Sequence, residues 1–407
     1  MSTGIRNRVL VRPTSEGHGV TTLELFFDLV FVFAITQVTT FMASDLSWRA
    51  ALRGMVLLAL LWWAWCSYAW LGNQAKADEG LIRASLITAM GALLVVALTI
   101  PEAWADSGGG LSAPVVLAAS LGLVRLVHLA VFAVAAAGDT GLRRQLARTA
   151  VPVLIAAVLL VVGAVIGGRP QTALWALALV IDYSGVYFAG ADWRLPSARH
   201  FAERHGLIIL IALGESIVSI GVGVGGLPIT LPVILAALLG LAISVALWWA
   251  YFDVVAPVAE RTLASLSGTQ RTRLARDSYT YLHFPMVAGI VYLALGLKKV
   301  TEYVADTHHH ALSEPLSAGP LWAMYGGVAA YLLAHLAFRR RNIGSINRPR
   351  ACVVVVVLLA PLVVGRLPAL GALSVLTAVL MALIGFEVVR YAEARDAIRH
   401  GQDRQES

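Results

Sequence analysis

The stretch Phe201–Gly226, FAERHGLIILIALGESIVSIGVGVGG, decides the fold. It reads as a transmembrane helix with a carboxylate near its middle. Glu203, Arg204 and His205 stand at its entrance, and an apolar run from Leu207 to Leu213 follows. At about 1.5 Å of rise per residue, Glu215 lies roughly 16 Å along the span, about half of a ~30 Å hydrocarbon core. An acid at that depth costs about 2.5–3.5 kcal/mol on insertion scales, so it usually faces protein or water and marks function. Ser219 lies one turn on, on the same face. Gly214, Gly221 and Gly225 form a second, bare stripe where another helix is expected to approach closely. One helix thus carries a polar face and a packing face.

Outward from this helix, the rest of the chain has the same character. Its 407 residues are 58% hydrophobic and only 14% charged, which excludes an ordinary soluble domain. The expected fold class is all-α, a polytopic membrane bundle of about twelve transmembrane helices. The apolar cores run over 22–43, 49–71, 81–101, 113–137, 148–167, 171–190, 204–225, 230–252, 278–298, 319–338, 351–366 and 369–390. The eleventh is short, with Pro349, Pro361 and Pro368 around it. The first twenty or so residues are polar, so no cleavable signal peptide is expected and the first span serves as its own signal anchor.

Lys and Arg set the orientation. With a cytoplasmic N-terminus, most of the 31 basic residues fall on the cytoplasmic side, including the runs Arg143-Arg144 and Arg339-Arg340-Arg341. The outer loops and helix ends keep only Arg49, Arg53, Arg169, Lys298, Lys299 and Arg366. Both termini are therefore expected in the cytoplasm, in a bacterial inner membrane. The net charge of +7 carries no nucleic-acid motif with it, and the lipid bilayer is the expected partner. Cys66 and Cys352 both lie in apolar runs and indicate neither a disulfide framework nor a metal site. No cofactor is expected.

Several spans carry polar residues that need explaining. In the first, Glu24 and Asp28 are four apart and share a face near the cytoplasmic end. Glu24 reads as an interfacial acid reaching water or as part of a site. Asp28, shorter and set among Phe residues, reads as functional. The second span is rich in tryptophan from Trp62 to Trp70, which fits packing better than a ligand cage. The fourth holds Arg125 and His128 near mid-membrane. An unpaired Arg there is costly, so it needs an acid, and the central candidates are Glu215 and Asp182. The ninth span begins with Tyr279, Tyr281, His283 and Pro285, where a local break is expected. The loop after it carries His308, His309 and His310, which cannot all face one way and suggest only adventitious metal binding.

The two halves resemble each other. Trp62 and Trp63 in LLWWAWCSY compare with Trp248 and Trp249 in ALWWAYFDV, and His128-Leu129-Ala130 compares with His335-Leu336-Ala337. Asp182 in the sixth span falls near the level of Glu387 in the twelfth. This predicts a short N-terminal segment (1–20), two parallel six-helix repeats (21–195 and 196–392) and a tail (393–407).

Two motifs, ELFFDLVFVFAITQVT (Glu24–Thr39) and HFAERHGLIILIALGESIV (His200–Val218), resemble the bacterial low temperature requirement A family. The resemblance covers nearly the whole chain. It implies a multispanning inner-membrane protein, with recurrent polar positions at Glu24, Asp28, Glu203, Arg204, His205, Gly214 and Glu215, but it supplies no substrate.

Three functions fit the residues. The first is a secondary transporter or ion pathway for a small solute or proton, with Glu215, Arg125, Asp28, Asp182, Ser219 and His128 along the route. The second is a membrane scaffold or low-temperature stress factor whose acids hold helices together. The third is an intramembrane enzyme on a lipid or polyprenyl substrate, for which Glu24 and Asp28 have the spacing of an acidic metal motif. No zinc HExxH, GxSxG or phosphate-binding loop is present, and no catalytic residue is assigned.

Overall fold

The fold opens on a reciprocal cap. Thr21 is extended, its Oγ1 accepts the Glu24 N–H at 3.3 Å, and the Glu24 carboxylate accepts the Thr21 N–H at 2.9 Å. This capping box satisfies orphan donors and starts the first helix, α1, Thr22–Ser44. The computed structural model describes residues 17–74, 77–78, 80–105, 110–190 and 193–392. The expected N-terminal segment is thus described only from Gly17, and the tail 393–407 lies outside the described residues.

The described residues form helices and connecting turns. After α1 come α2 (Trp48–Gln74), α3 (Gly80–Thr99), α4 (Ala113–Ala135), α5 (Thr140–Ile166), α6 (Gly168–Phe188) and α7 (Ala198–Val224). Then follow α8 (Leu231–Phe252), α9 (Val255–Ser265), α10 (Gly268–Leu274), α11 (His283–Ala305), α12 (Ala318–Ile343), α13 (Arg348–Leu359), α14 (Pro361–Val364) and α15 (Ala369–Arg390). Among the described residues, ten helical stretches are long and apolar enough to cross a membrane. The sixth and eleventh expected spans fall short of that measure. α6 has 21 residues, but Asp182, Tyr183, Ser184 and Tyr187 dilute its second half. The eleventh is cut at Pro361 into pieces of 12 and 4 residues. Proline there offers no N–H and crowds the preceding turn.

The expected irregularity in the ninth span lies just before Pro285. Ala275–Tyr281, between α10 and α11, is wound as a π-helix. Pro285 brings no N–H to the Tyr281 carbonyl, so the α-helical ladder has no donor at that point. Such widened turns are frequent at functional sites.

By internal contact the chain divides into two compact units, Met1–Ile211 with Leu263–Phe284, and Ala212–Thr262 with Pro285–Ser407. In the first unit, α5 and α6 form an antiparallel pair. Asp139 caps α5, its Oδ1 accepting the N–H groups of Gly141 at 2.9 Å and Leu142 at 3.1 Å. Those bonds, Leu142 first, and the nearby Arg194 hold its carboxyl below the usual range. Gly163 faces the Trp175 ring, where a Cβ would come within 2.9 Å, and Trp175 Nε1 donates to the Leu160 carbonyl at 2.9 Å.

In the second unit, α11 and α12 meet through glycine. A Cβ on Gly289 would lie 2.7 Å from the Tyr331 nitrogen, and one on Gly327 would lie 2.6 Å from the Leu293 nitrogen. The expected packing stripe on α7 is different. A Cβ on Gly214 or Gly221 would meet nothing within 4 Å, and Gly225 has φ +56°, so it serves the end of the helix instead. The close approach on α7 is at Gly223, where a Cβ would strike the Lys298 carbonyl and Thr301. Gly223 lies two residues from Gly221, about 200° around the helix. Spacing alone identifies a bare stripe but not which face of the helix meets a neighbour.

This gives a test of the packing. Gly289→Ala should destabilise by at least about 1–3 kcal/mol, because backbone cannot yield as a side chain does. Gly214→Ala should be tolerated. Thermal unfolding of the purified protein separates the two, and equal midpoints would refute the close approach.

Candidate functional site

The first charge cluster is built on α1, α2 and α7. Glu24 and Asp28, four residues apart, both face inward and are buried. Ser197 starts α7 by accepting the His200 N–H on its Oγ at 3.1 Å. His200 and Arg204, again four apart, then point at the α1 acids. Arg204 Nη1 donates to Asp28 Oδ2 at 2.8 Å and to the Glu24 backbone carbonyl at 2.9 Å. Trp65 Nε1 donates to Asp28 Oδ1 at 2.8 Å, and the Arg204 guanidinium lies 5.4 Å from the centre of the Trp65 ring.

Asn73 on α2 orients His200. Its Oδ1 accepts the Ser197 N–H at 3.3 Å, so its Nδ2 faces the Ser197 carbonyl at 2.6 Å and His200 Nδ1 at 3.2 Å. His200 Nδ1 is therefore an acceptor, and Nε2 carries the proton donated to Glu24 Oε1 at 2.9 Å. Both α1 carboxylates are thus engaged by protein donors. Glu203 stands outside this buried group. It accepts from Val20 N at 3.3 Å and pairs with exposed Arg199 at 2.7 Å. His205 is fully buried, donating from Nδ1 to the Phe201 carbonyl at 2.8 Å. Its ring stands edge-on to Trp65 at 5.0 Å and to His283 at 5.2 Å.

A second cluster lies on α2, α4 and α6. Arg125 Nη2 donates to both oxygens of Asp182 at 3.0 Å, and Nη1 donates to Ser67 Oγ. Of the two candidate acids, Asp182 is the one that pairs with Arg125 within the first unit. Arg125 lines two small cavities. One of about 60 Å³ is lined by Trp63, Ser67, Arg125, His128 and Thr280, among others. The other, about 30 Å³, is lined by Trp63, Arg125, Leu160 and Asp182, among others. The π-wound segment closes onto this region. The Thr280 carbonyl accepts Trp62 Nε1 and its Oγ1 accepts Trp70 Nε1, both at 3.0 Å. Trp63 stacks on Tyr183 at 3.9 Å.

In the second unit, Glu215 is buried and accepts from Ser219 Oγ at 2.8 Å, as their one-turn spacing predicts. The unit also holds a cluster that sequence reasoning does not assemble. Arg350 donates from Nε and Nη2 to the two oxygens of Glu387, each at 2.7 Å, a fork matching a carboxylate. Asn347, the N-cap of α13, donates to Glu387 Oε1 at 2.7 Å. Arg350 Nη1 reaches the Ala250 carbonyl at 2.9 Å and lies 3.1 Å from His335 Nδ1. A cavity of about 190 Å³ opens beside it, lined in part by Trp249, Arg350 and Glu387. By sequence, Arg350 reads as one more loop charge. His200, four residues before Arg204, and the Thr21–Glu24 capping signature are legible in the sequence. Asn73 and Trp65 carry no such signal.

The family model described as bacterial low temperature requirement A protein matches residues 19–385. An uncharacterised protein of Rhizobium meliloti (strain 1021) is 30% identical over 320 residues, covering 74% of this chain and 75% of that protein. No solved structure matches.

Proposed function

The chain belongs to the bacterial low temperature requirement A family and is a multi-pass membrane protein, and on that premise we propose that it is a transport protein of the inner membrane. It acts as a secondary transporter or ion pathway for a small solute or a proton, with both termini cytoplasmic. One observation carries this reading. Arg125 of the buried Arg125–Asp182 pair lines two cavities within one helical unit, and Asp182 lines the smaller of them. A buried charged pair beside spaces large enough for water is an arrangement that a migrating proton or solute uses.

We count α6 and the α13–α14 pair as further crossings, because Asp182 and Arg350 within them are turned inward. That makes about twelve spans in two parallel six-helix halves. The repetition of side chains supports the halves. Arg125 pairs with Asp182 in the first unit, with His128 and Trp63 lining the adjoining cavity. Arg350 pairs with Glu387 in the second, with His335 3.1 Å away and Trp249 lining the cavity. Trp63 with Trp249 and His128 with His335 are the pairs that align the two halves by sequence.

Purified protein reconstituted into liposomes with a trapped pH dye tests this. Under an imposed potential, proton flux should exceed that of empty liposomes. Flux equal to that of empty liposomes would favour the second reading, a membrane scaffold. That reading has its own support, since Arg204 and Arg350 hold buried carboxylates within each unit as structural ion pairs do.

A further inference from the structure

We propose that the cavity beside Arg125 and His128 in the first unit binds a small carboxylate of about four to six non-hydrogen atoms, a reading that rests on the transport function for its role. Three of its lining residues carry buried polar atoms without a hydrogen-bond partner: Trp63 Nε1, Arg125 Nε and both ring nitrogens of His128. Trp63 and His128 are more than nine-tenths buried, at 5% and 7% exposure. Buried donors left without partners are rare in native proteins, and here they belong to residues that line one space.

Their chemistry selects the ligand. An indole nitrogen and a guanidinium nitrogen only donate, and a neutral imidazole adds one more donor and one acceptor, so donors predominate. Arg276 also lines the cavity, and among the described residues no carboxylate does. Arg276 is matched by Asp277 at 2.8 Å and Arg125 by Asp182 at 3.0 Å, so the attraction is for hydrogen-bond acceptors more than for net charge. The remaining walls include Phe132 and Val186, and the hydroxyls of Ser67, Thr149 and Thr280 are engaged by protein partners. A carboxylate offers acceptors at one end and an apolar body at the other. Chloride or phosphate would leave the apolar walls without a partner, and an amide would set its own N–H groups against the donors.

Volume limits the size. At roughly 10–15 Å³ per water, a cavity of about 60 Å³ holds about four to six waters. Acetate, propionate and butyrate fall in that range, and aromatic acids do not.

The test uses the purified full chain in detergent at constant ionic strength. Propionate is titrated while tryptophan fluorescence and the melting midpoint are followed, with propionamide and chloride as comparisons. Propionate should give a saturable fluorescence change and a higher midpoint, at concentrations about tenfold or more below those of propionamide or chloride. His128→Phe and Trp63→Phe should each weaken propionate about tenfold. Propionate no better than propionamide on the parent protein would overturn the proposal, whether or not the variants fold. So would variants that bind propionate like the parent. Binding and liposome flux are read separately. Flux without propionate binding removes the carboxylate site and leaves transport, whereas binding without any flux leaves the site and removes transport.

Discussion

Arg204→Gln should cost about 3–5 kcal/mol and sharply lower the yield of folded protein, because it strands buried charge. Asp28 would keep one strong donor, Trp65 Nε1, and lose the guanidinium at 2.8 Å. The Glu24 backbone carbonyl would lose its side-chain donor as well. The cost comes from an uncompensated carboxylate in a dry interior rather than from the net worth of the pair. Removing both charges should therefore recover much of the loss, and Arg204→Gln with Asp28→Asn is the variant to compare. Glu203→Gln, next in sequence but partly exposed and paired with Arg199 on the surface, should change stability by less than about 1 kcal/mol. Expression yield and thermal unfolding in detergent measure all of these. An Arg204→Gln protein as stable as the parent would show that the α1–α7 cluster does not hold the unit together.

Asp182→Asn is the second change with a large expected effect. It leaves Arg125 without its carboxylate in the middle of the first unit, at a cost of about 3–5 kcal/mol for a broken buried pair. The double variant Asp182→Asn with Arg125→Gln should regain stability, since two amides can hydrogen-bond without buried charge. What the double variant should not regain is flux. If the pair lies on the transport route, liposomes carrying this stable variant should conduct no faster than empty ones. If the pair only joins helices, the double variant should fold and conduct like the parent. The comparison therefore separates a structural role from a transport role, which neither single variant does.

Part of this site is legible in the amino-acid sequence alone. Glu24 and Asp28 at a separation of four must share a helix face, and Arg125 at mid-depth must find an acid. Both statements follow from helix geometry and the cost of charge in hydrocarbon. The Ser219–Glu215 bond follows from the same spacing. Hydropathy likewise locates the helices, including the weak eleventh with its prolines. These are local properties. The bilayer rewards about twenty apolar residues wherever they occur, and the periodicity of a helix places side chains relative to their own neighbours.

Choice of partner is not local. By sequence Glu215 is the leading candidate for Arg125 and Asp182 its rival, and only the placing of α4 and α6 against α2 brings Asp182 to Arg125. The bare stripe of Gly214 and Gly221 is visible in the sequence, yet the close approaches are at Gly223, Gly289 and Gly327, because helix rotation is set by the whole set of neighbours. Arg350 has the look of a loop charge until α13 and α15 bring it to Glu387. The segment 263–284 lies in the second half of the sequence but packs into the first unit, where its π-wound turn takes the indole donors of Trp62 and Trp70. Composition and periodicity determined that this chain is a helical membrane protein with buried charges. Which charge meets which depended on how the helices turn and pack, and no stretch of sequence carries that by itself.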